Sequence, residues 1–321
     1  MGSRRSSRTD RSEIRSLPKV ELHRHLEGTV RPQTFLELAR ESGMRMNHLS
    51  LYSAMMKPGE RGFSKFLKIF PRLREVYVNR DAIERVAREA VEDAARDSID
   101  HLELRFSPAG FSAKSGENPT RVARWIMDAA SREARCHKMR VRFIATIARH
   151  FPVEVNKPTL TAALDLPFVG MDLAGDERTF PAGPYYKMFQ KARKAGLGIT
   201  IHAGEAGGAE NVKEAITKLG ASRIGHGIRV LDDPDICRMS RERGIVFEVC
   251  PTSNLSTAVV RKSRLRRMWE AGLEITLNTD DPAIFGIDLT NEYKVALREG
   301  FSSEDLEKMR KIARKATFTR R

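Results

Sequence analysis

Cysteine is scarce in this chain: 3 in 321 residues, at Cys136, Cys237 and Cys250. A set so small, odd in number and scattered builds neither a disulfide framework nor a cysteine-based zinc site. It points to a reducing compartment, and the cytoplasm is the expected location. Long apolar runs are missing as well. No stretch is long enough to cross a bilayer and no signal-peptide core is present, so no membrane partner is expected. Aromatic residues make up only 7%, and none interleave with the basic clusters as they do in a groove for single strands. Acidic residues are outnumbered, 42 against 57 Lys and Arg, which gives a formal charge of +15. That excess is compatible with a nucleic-acid partner. The cations are dispersed along helices and tails, however, with small clusters at Arg4-Arg5, at 261–267 and at Arg314-Lys315. This dispersal argues against nucleic acid.

What remains is the composition of a soluble globular protein, 40% hydrophobic. Its length suits one large domain or two small ones, and a single α/β barrel needs about 250 residues. Residues 1–16 are polar, rich in Arg and Ser and without periodicity, so they are expected to be a disordered basic arm or an artificial leader. One domain is expected over 17–321. There, strand-like runs at 20–25, 102–106, 141–147, 168–172, 198–202, 223–226, 246–250 and 274–279 alternate with helix-like ones. The stretch 82–97, for example, has helical spacing at Ile83, Val86, Ala90, Val91 and Ala94. Helices are likewise expected at 119–138, 182–195, 212–219, 234–243 and 265–271. Gly196, Gly220, Gly244 and Gly272 each stop a helix just before a strand. This rhythm predicts an α/β fold, an eight-stranded (β/α)8 barrel. The first connection, from 31 to about 80, is a long helical insertion. Within it Phe63, Phe66, Leu67 and Phe70 suit a helix packed on the rim or an apolar lid.

In such a barrel, chemistry belongs at the C-terminal strand ends. The first strand carries His23 and His25 on one face, two imidazoles placed to grip one divalent metal. The fifth ends at His202, the sixth at His226, and the eighth runs into Asp280-Asp281-Pro282. Singly, each is an ordinary loop or core residue; four strand ends bearing His or Asp together are a site.

The segments His23-Arg24-His25-Leu26-Glu27-Gly28, Asp172-Leu173-Ala174-Gly175-Asp176-Glu177, His202-Ala203-Gly204-Glu205, Ile224-Gly225-His226-Gly227, Val249-Cys250-Pro251-Thr252-Ser253-Asn254 and Asn278-Thr279-Asp280-Asp281-Pro282 resemble the adenosine deaminase family, in order, from about Leu17 to Phe318. The resemblance implies a zinc-dependent (β/α)8 hydrolase of the amidohydrolase superfamily. It implies His23, His25, His202 and Asp280 as ligands of one zinc per chain, a donor set that suits that metal. The fourth strand ends Met171-Asp172-Leu173 without the lysine that bridges two metals in many superfamily members. The metal would activate water for attack at C6 of a 6-aminopurine. Glu205 would protonate N1, His226 would orient the attacking water and take its proton, and Asp281 would bond N7. The Gly175 backbone would meet N3, with side-chain-free space for close approach. His25 would also border the substrate. Cys250 reads as packing.

Glu27 departs from the family pattern, which usually has Asp facing the ribose hydroxyls. The extra methylene leaves the 5′ side of the substrate open. The expected reaction is deamination of adenosine or a 5′-substituted adenosine, with adenine or aminodeoxyfutalosine as alternatives in the family. A silent basic barrel that binds nucleic acid, or another amidohydrolase reaction on the same metal, are readings of a different kind. The sequence leaves the oligomeric state open.

Overall fold

Eight parallel strands follow one another around a single sheet in chain order. They are β1 (Lys19–His25), β2 (Ile99–Phe106), β3 (Arg140–Ala148), β4 (Gly170–Ala174), β5 (Gly198–Ala203), β6 (Arg223–His226), β7 (Val246–Val249) and β8 (Glu274–Leu277). The structure, a computed structural model, describes residues 11–44 and 62–320. Flanking helices complete a (β/α)8 barrel. The seam between β8 and β1 closes just past the end of β8. There His25 N–H donates to the Asp280 carbonyl (2.8 Å) and Asp280 N–H to the His23 carbonyl (2.9 Å). The backbone bonds that close the barrel are therefore made by residues of the His/Asp cluster itself.

Both faces of the strands are covered, and many inward positions are polar or charged. Glu103, Arg105, Asp172, Thr200, Arg223 and Glu248 are all buried inside the barrel. Buried charges must be paired, and these are. Arg105 reaches Asp172 (3.1 Å) and Glu248 (2.7 Å), and Arg223 reaches Glu103 (2.6 Å). Arg223 Nε also lies 2.7 Å from Glu248 Oε1, off the line of its N–H, so that contact is ionic and not a hydrogen bond. The outward positions pack on helices. In helix Arg80–Arg96, the residues at 83, 86, 87, 90, 91 and 94 form the buried stripe that the spacing predicts. At the pole away from the His cluster, Phe318 plugs the barrel beneath Arg223, whose guanidinium carbon sits 3.6 Å from the ring centroid.

The four stop glycines all adopt positive φ, between +60° and +78°, as expected. Three expectations need correction. The arm does not extend to residue 16: Arg11–Ser16 form a helix, Ile14 is buried in the core, and Arg15 pairs with Asp288. Residues 1–10 lie outside the described residues, as does 45–61 of the long insertion. β4 begins at Gly170, two residues later than the apolar run suggested, because Phe168 and Val169 pack as the incoming loop. Helix Val153–Asp165 was not anticipated, since it contains Pro158 and carries no clear apolar stripe.

Candidate active site

The C-terminal ends of β1, β5, β6 and β8 bring His23, His25, His202, His226 and Asp280 into one cluster. Ring centroids lie 4.6 Å apart for His23 and His202, 5.1 Å for His25 and His202, and 4.9 Å for His23 and His226. One ligand atom from each of His23, His25, His202 and Asp280 falls within 4.8 Å of all the others. His226 and Asp280 hold left-handed backbone conformations (φ +59° and +65°), which non-glycine residues adopt only when the surroundings insist. Gly225 makes room for the cluster: a Cβ there would meet His23 Cε1 at 2.9 Å.

Beneath the ligand atoms, carboxylates orient the rings. Glu248 Oε2 bonds His23 Nδ1 (2.8 Å) and Asp172 Oδ1 bonds His202 Nδ1 (3.0 Å), while Arg105 ties the two carboxylates together. Each bond places the proton on Nδ1 and turns Nε2 inward with its lone pair free. His23 Nε2 is enclosed and has no hydrogen-bond partner; it faces Asp280 Oδ1 at 3.4 Å. Burial pushes His25 and His226 well below the usual imidazole range and lowers His202. Burial and Arg105 also oppose charge on His23, but its contacts with Asp280 and Glu248 outweigh them and raise its pKa. Three inward nitrogens, the orphaned His23 Nε2 among them, and one carboxylate form a donor set that fits a divalent ion such as zinc. A second grouping, His23, His226 and Cys250, is also close enough to share an ion. Its thiol contacts the Glu248 carbonyl (3.6 Å), and burial drives its pKa well up, so it is the poorer donor set.

Glu205 stands beside this cluster, its Oε2 3.8 Å from His226 Nε2. Burial, then Asp280 and Glu177, push its pKa well above the carboxylate range. Asp281 is raised in the same way by burial, Asp280, Glu27 and Glu205. The loop that carries Glu205 is clamped by Glu177. Its two oxygens accept backbone N–H bonds from Gly204 (2.8 Å), Glu205 (2.7 Å), Ala206 (2.8 Å) and Gly207 (2.7 Å), and one from Asn211 Nδ2 (2.8 Å). The turn Pro251–Ser256 supplies Ser253, which donates to Asp280 Oδ2 (2.6 Å), and Asn254, 2.8 Å from His226 Nδ1.

A cavity opens above the cluster, with polar groups converging on its floor. His25, Glu27, Gly175, His202, Glu205, His226, Asp280 and Asp281 line it, and His23 lies buried below. All nine expected site residues therefore meet. Gly175 is glycine because of its backbone, φ +109°, and not for want of space, since a Cβ there would find only ordinary contacts from 3.5 Å. Glu27 Oε1 accepts from Ser107 N–H (2.9 Å), whereas Oε2 is buried without a partner. Phe63, Phe66, Leu67 and Phe70 roof the cavity, and Phe66 stacks on Phe285 at 5.5 Å. They pack on the rim and form part of the cavity wall.

The adenosine deaminase family profile matches residues 18–321. The chain belongs to the adenosine deaminase family. It is thereby a hydrolase that acts on a carbon–nitrogen bond of a cyclic amidine. The adenosine deaminase of Shewanella denitrificans is 38% identical over 308 residues, covering 92% of this chain and 93% of that protein. A Burkholderia ambifaria amidohydrolase solved with bound Zn superposes with TM-score 0.86 at 29% identity, covering 96% of this chain and 88% of that one. An Arabidopsis N6-mAMP deaminase gives TM-score 0.86 at 28% identity, covering 96% and 95%. Within this family member, Arg105 and Glu248 were not picked out from the sequence, and Glu177 and Asn254 stood in the matching segments without an assigned role. Glu248 carried a signal, since it is the one charged residue in an otherwise apolar strand. Among the described residues, no helix is long and apolar enough to cross a membrane.

Proposed function

We propose that the chain removes the 6-amino group of adenosine or a sugar-modified adenosine by hydrolysis, giving the 6-oxopurine nucleoside and ammonia, with one zinc per chain held by His23, His25, His202 and Asp280. The observation that carries this reading is the convergence of those ligand atoms within 4.8 Å beside an enclosed Glu205, whose Oε2 lies 3.8 Å from His226 Nε2. When bound, zinc supplies Lewis-acid activation of water at neutral pH.

The remaining work falls to side chains. Negative charge enters the ring as C6 is attacked, and Glu205, kept protonated by burial, donates to N1. His226 stays neutral and accepts the proton lost by the attacking water. Turning the Asn254 amide gives its unpartnered oxygen the Nδ1–H of His226 to accept and leaves His226 Nε2 as the base. N7 of a purine is an acceptor, so a protonated Asp281 suits it. The Gly175 backbone meets N3, His25 borders the substrate, and Glu27 Oε2 accepts a ribose hydroxyl. That unpaired oxygen favours a nucleoside over free adenine, because a polar atom enclosed without a partner is costly. The lid phenylalanines exclude bulk water. The free cysteines belong with a cytoplasmic setting.

The test is direct. Zinc-loaded protein given adenosine or a close analogue should release ammonia with the ultraviolet shift of a 6-oxopurine. Glu205→Gln should keep its zinc and lose roughly 10²–10⁴ in kcat. Full activity in that variant would remove Glu205 from the reaction.

A further inference from the structure

One part of the cavity is unexplained by deamination itself. Arg74, in the turn Arg74–Val76, lines the cavity wall, and its Nε is enclosed with no hydrogen-bond partner. An unpartnered Nε is not peculiar to Arg74, since Arg105, Arg149 and Arg223 share it, but each of those is bonded through its terminal nitrogens. Arg24 has Glu21, Arg105 has Asp172 and Glu248, and Arg149 has the His202 carbonyl. Among the described residues, no carboxylate lies within salt-bridge distance of the Arg74 guanidinium, which instead sits 5.0 Å over the Phe151 ring. A guanidinium held in an apolar-roofed cavity without an anion is costly unless an anion arrives.

Its surroundings locate that anion. His150 lines the same cavity, with Nδ1 only 3.5 Å from where a Cβ of Gly175 would stand. In the proposed pose Gly175 faces N3, which flanks the glycosidic nitrogen, so His150 lies on the sugar side. Glu27, assigned to a ribose hydroxyl, is near enough to Arg74 to interact with it electrostatically. We propose that Arg74 and His150 form a subsite for an anionic group carried on the sugar, most directly on its exocyclic 5′ carbon, and that the preferred substrate is a 6-aminopurine nucleoside bearing a phosphate or carboxylate there. This rests on the deaminase reading and names its substrate class. Arginine offers a planar fork matched to either anion. Burial and Arg74 bring the His150 pKa down to about 4, so it is a neutral hydrogen-bonding partner and the positive charge is Arg74's. The formal charge of +15 would also draw such a substrate in.

The experiment compares kcat/KM of the zinc-loaded protein on adenosine, 5′-methylthioadenosine, adenosine 5′-monophosphate, adenosine 3′-monophosphate and adenosine 5′-carboxylate. At least one 5′-anionic substrate should exceed adenosine by ten-fold or more, and whether phosphate or carboxylate leads identifies the anion. Arg74→Met should lower the ratio of that substrate to adenosine by thirty-fold or more, and Arg74→Lys should restore part of it. Inosine 5′-monophosphate should raise the melting temperature of the wild-type protein more than inosine does, and this difference should vanish in Arg74→Met. A preference for adenosine, the methylthio compound or the 3′-phosphate overturns the subsite, as does an Arg74→Met ratio equal to wild type. Failure to deaminate any of the panel would overturn the deaminase reading instead.

Discussion

Glu177 offers the most discriminating perturbation of the site, because it touches neither the proposed metal ligands nor the substrate. Its carboxylate gathers four consecutive backbone N–H groups, from Gly204 to Gly207, plus the Asn211 amide. Converging N–H groups of this kind form an anion nest. Hydrogen bonds to a charged group contribute about 1.5–3 kcal/mol each, and they do not add fully. Glu177→Ala, which leaves those N–H groups enclosed and unpaired, should therefore destabilise the fold by about 3–4 kcal/mol. Glu177→Gln keeps the shape but turns an amide donor toward the N–H groups, and should cost about 2 kcal/mol. The catalytic effect should be larger than the stability loss suggests. Glu205 sits inside the nest, and a displacement of about 1 Å at a reacting group costs roughly 10²-fold in rate. Zinc content should stay near wild type, because His202 is fixed by β5 and Asp172 and not by the nest. Urea denaturation, zinc stoichiometry and kcat measured on the Gln variant separate these effects. A Gln variant with wild-type stability and kcat would refute the idea that this carboxylate holds the Glu205 loop.

Other consequences of the buried charges are measurable. Arg105→Met strands Asp172 and Glu248 in the barrel interior, and should cost about 3–5 kcal/mol and about 10–100-fold in zinc affinity. Denaturation and competitive zinc titration test this, and an unaltered affinity would show that the carboxylates orient the histidines without Arg105. Glu292 is buried, with Thr252 bonding it through its N–H (3.1 Å) and its side chain, and burial pushes its pKa up to about 8. The folded state therefore holds this proton more tightly than the unfolded chain does. The associated stability is complete below about pH 4.5, and is lost as pH rises through 8. Glu292→Gln cannot ionise, so between those limits its unfolding free energy should fall less steeply with pH, by up to about 1.4 kcal/mol per pH unit. Parallel pH profiles for variant and wild type would rule that out.

Much of this protein was readable from residue order alone. Strand-like runs, helical spacing and the glycine stops at 196, 220, 244 and 272 are local signals, and all eight strands lie close to where those signals put them. The proposed ligands were readable too, since each sits within a few residues of a C-terminal strand end, where a barrel places its chemistry. The start of β4 and the helix Val153–Asp165 were not readable, because an apolar run does not say which of its residues pair, and Pro158 masks an otherwise ordinary helix.

What the tertiary structure alone decided is which distant groups share a few ångströms. Glu248 reaches His23 across 225 residues, and β8 meets β1 only because the barrel closes through Asp280. Local spacing determines an element and the face each side chain takes. It carries no information on strand order or on closure, and these set the electrostatic surroundings of Arg105, Glu205 and Arg74. Hydrogen-bond and ion-pair energies fall steeply with distance, so those roles exist only in the folded chain.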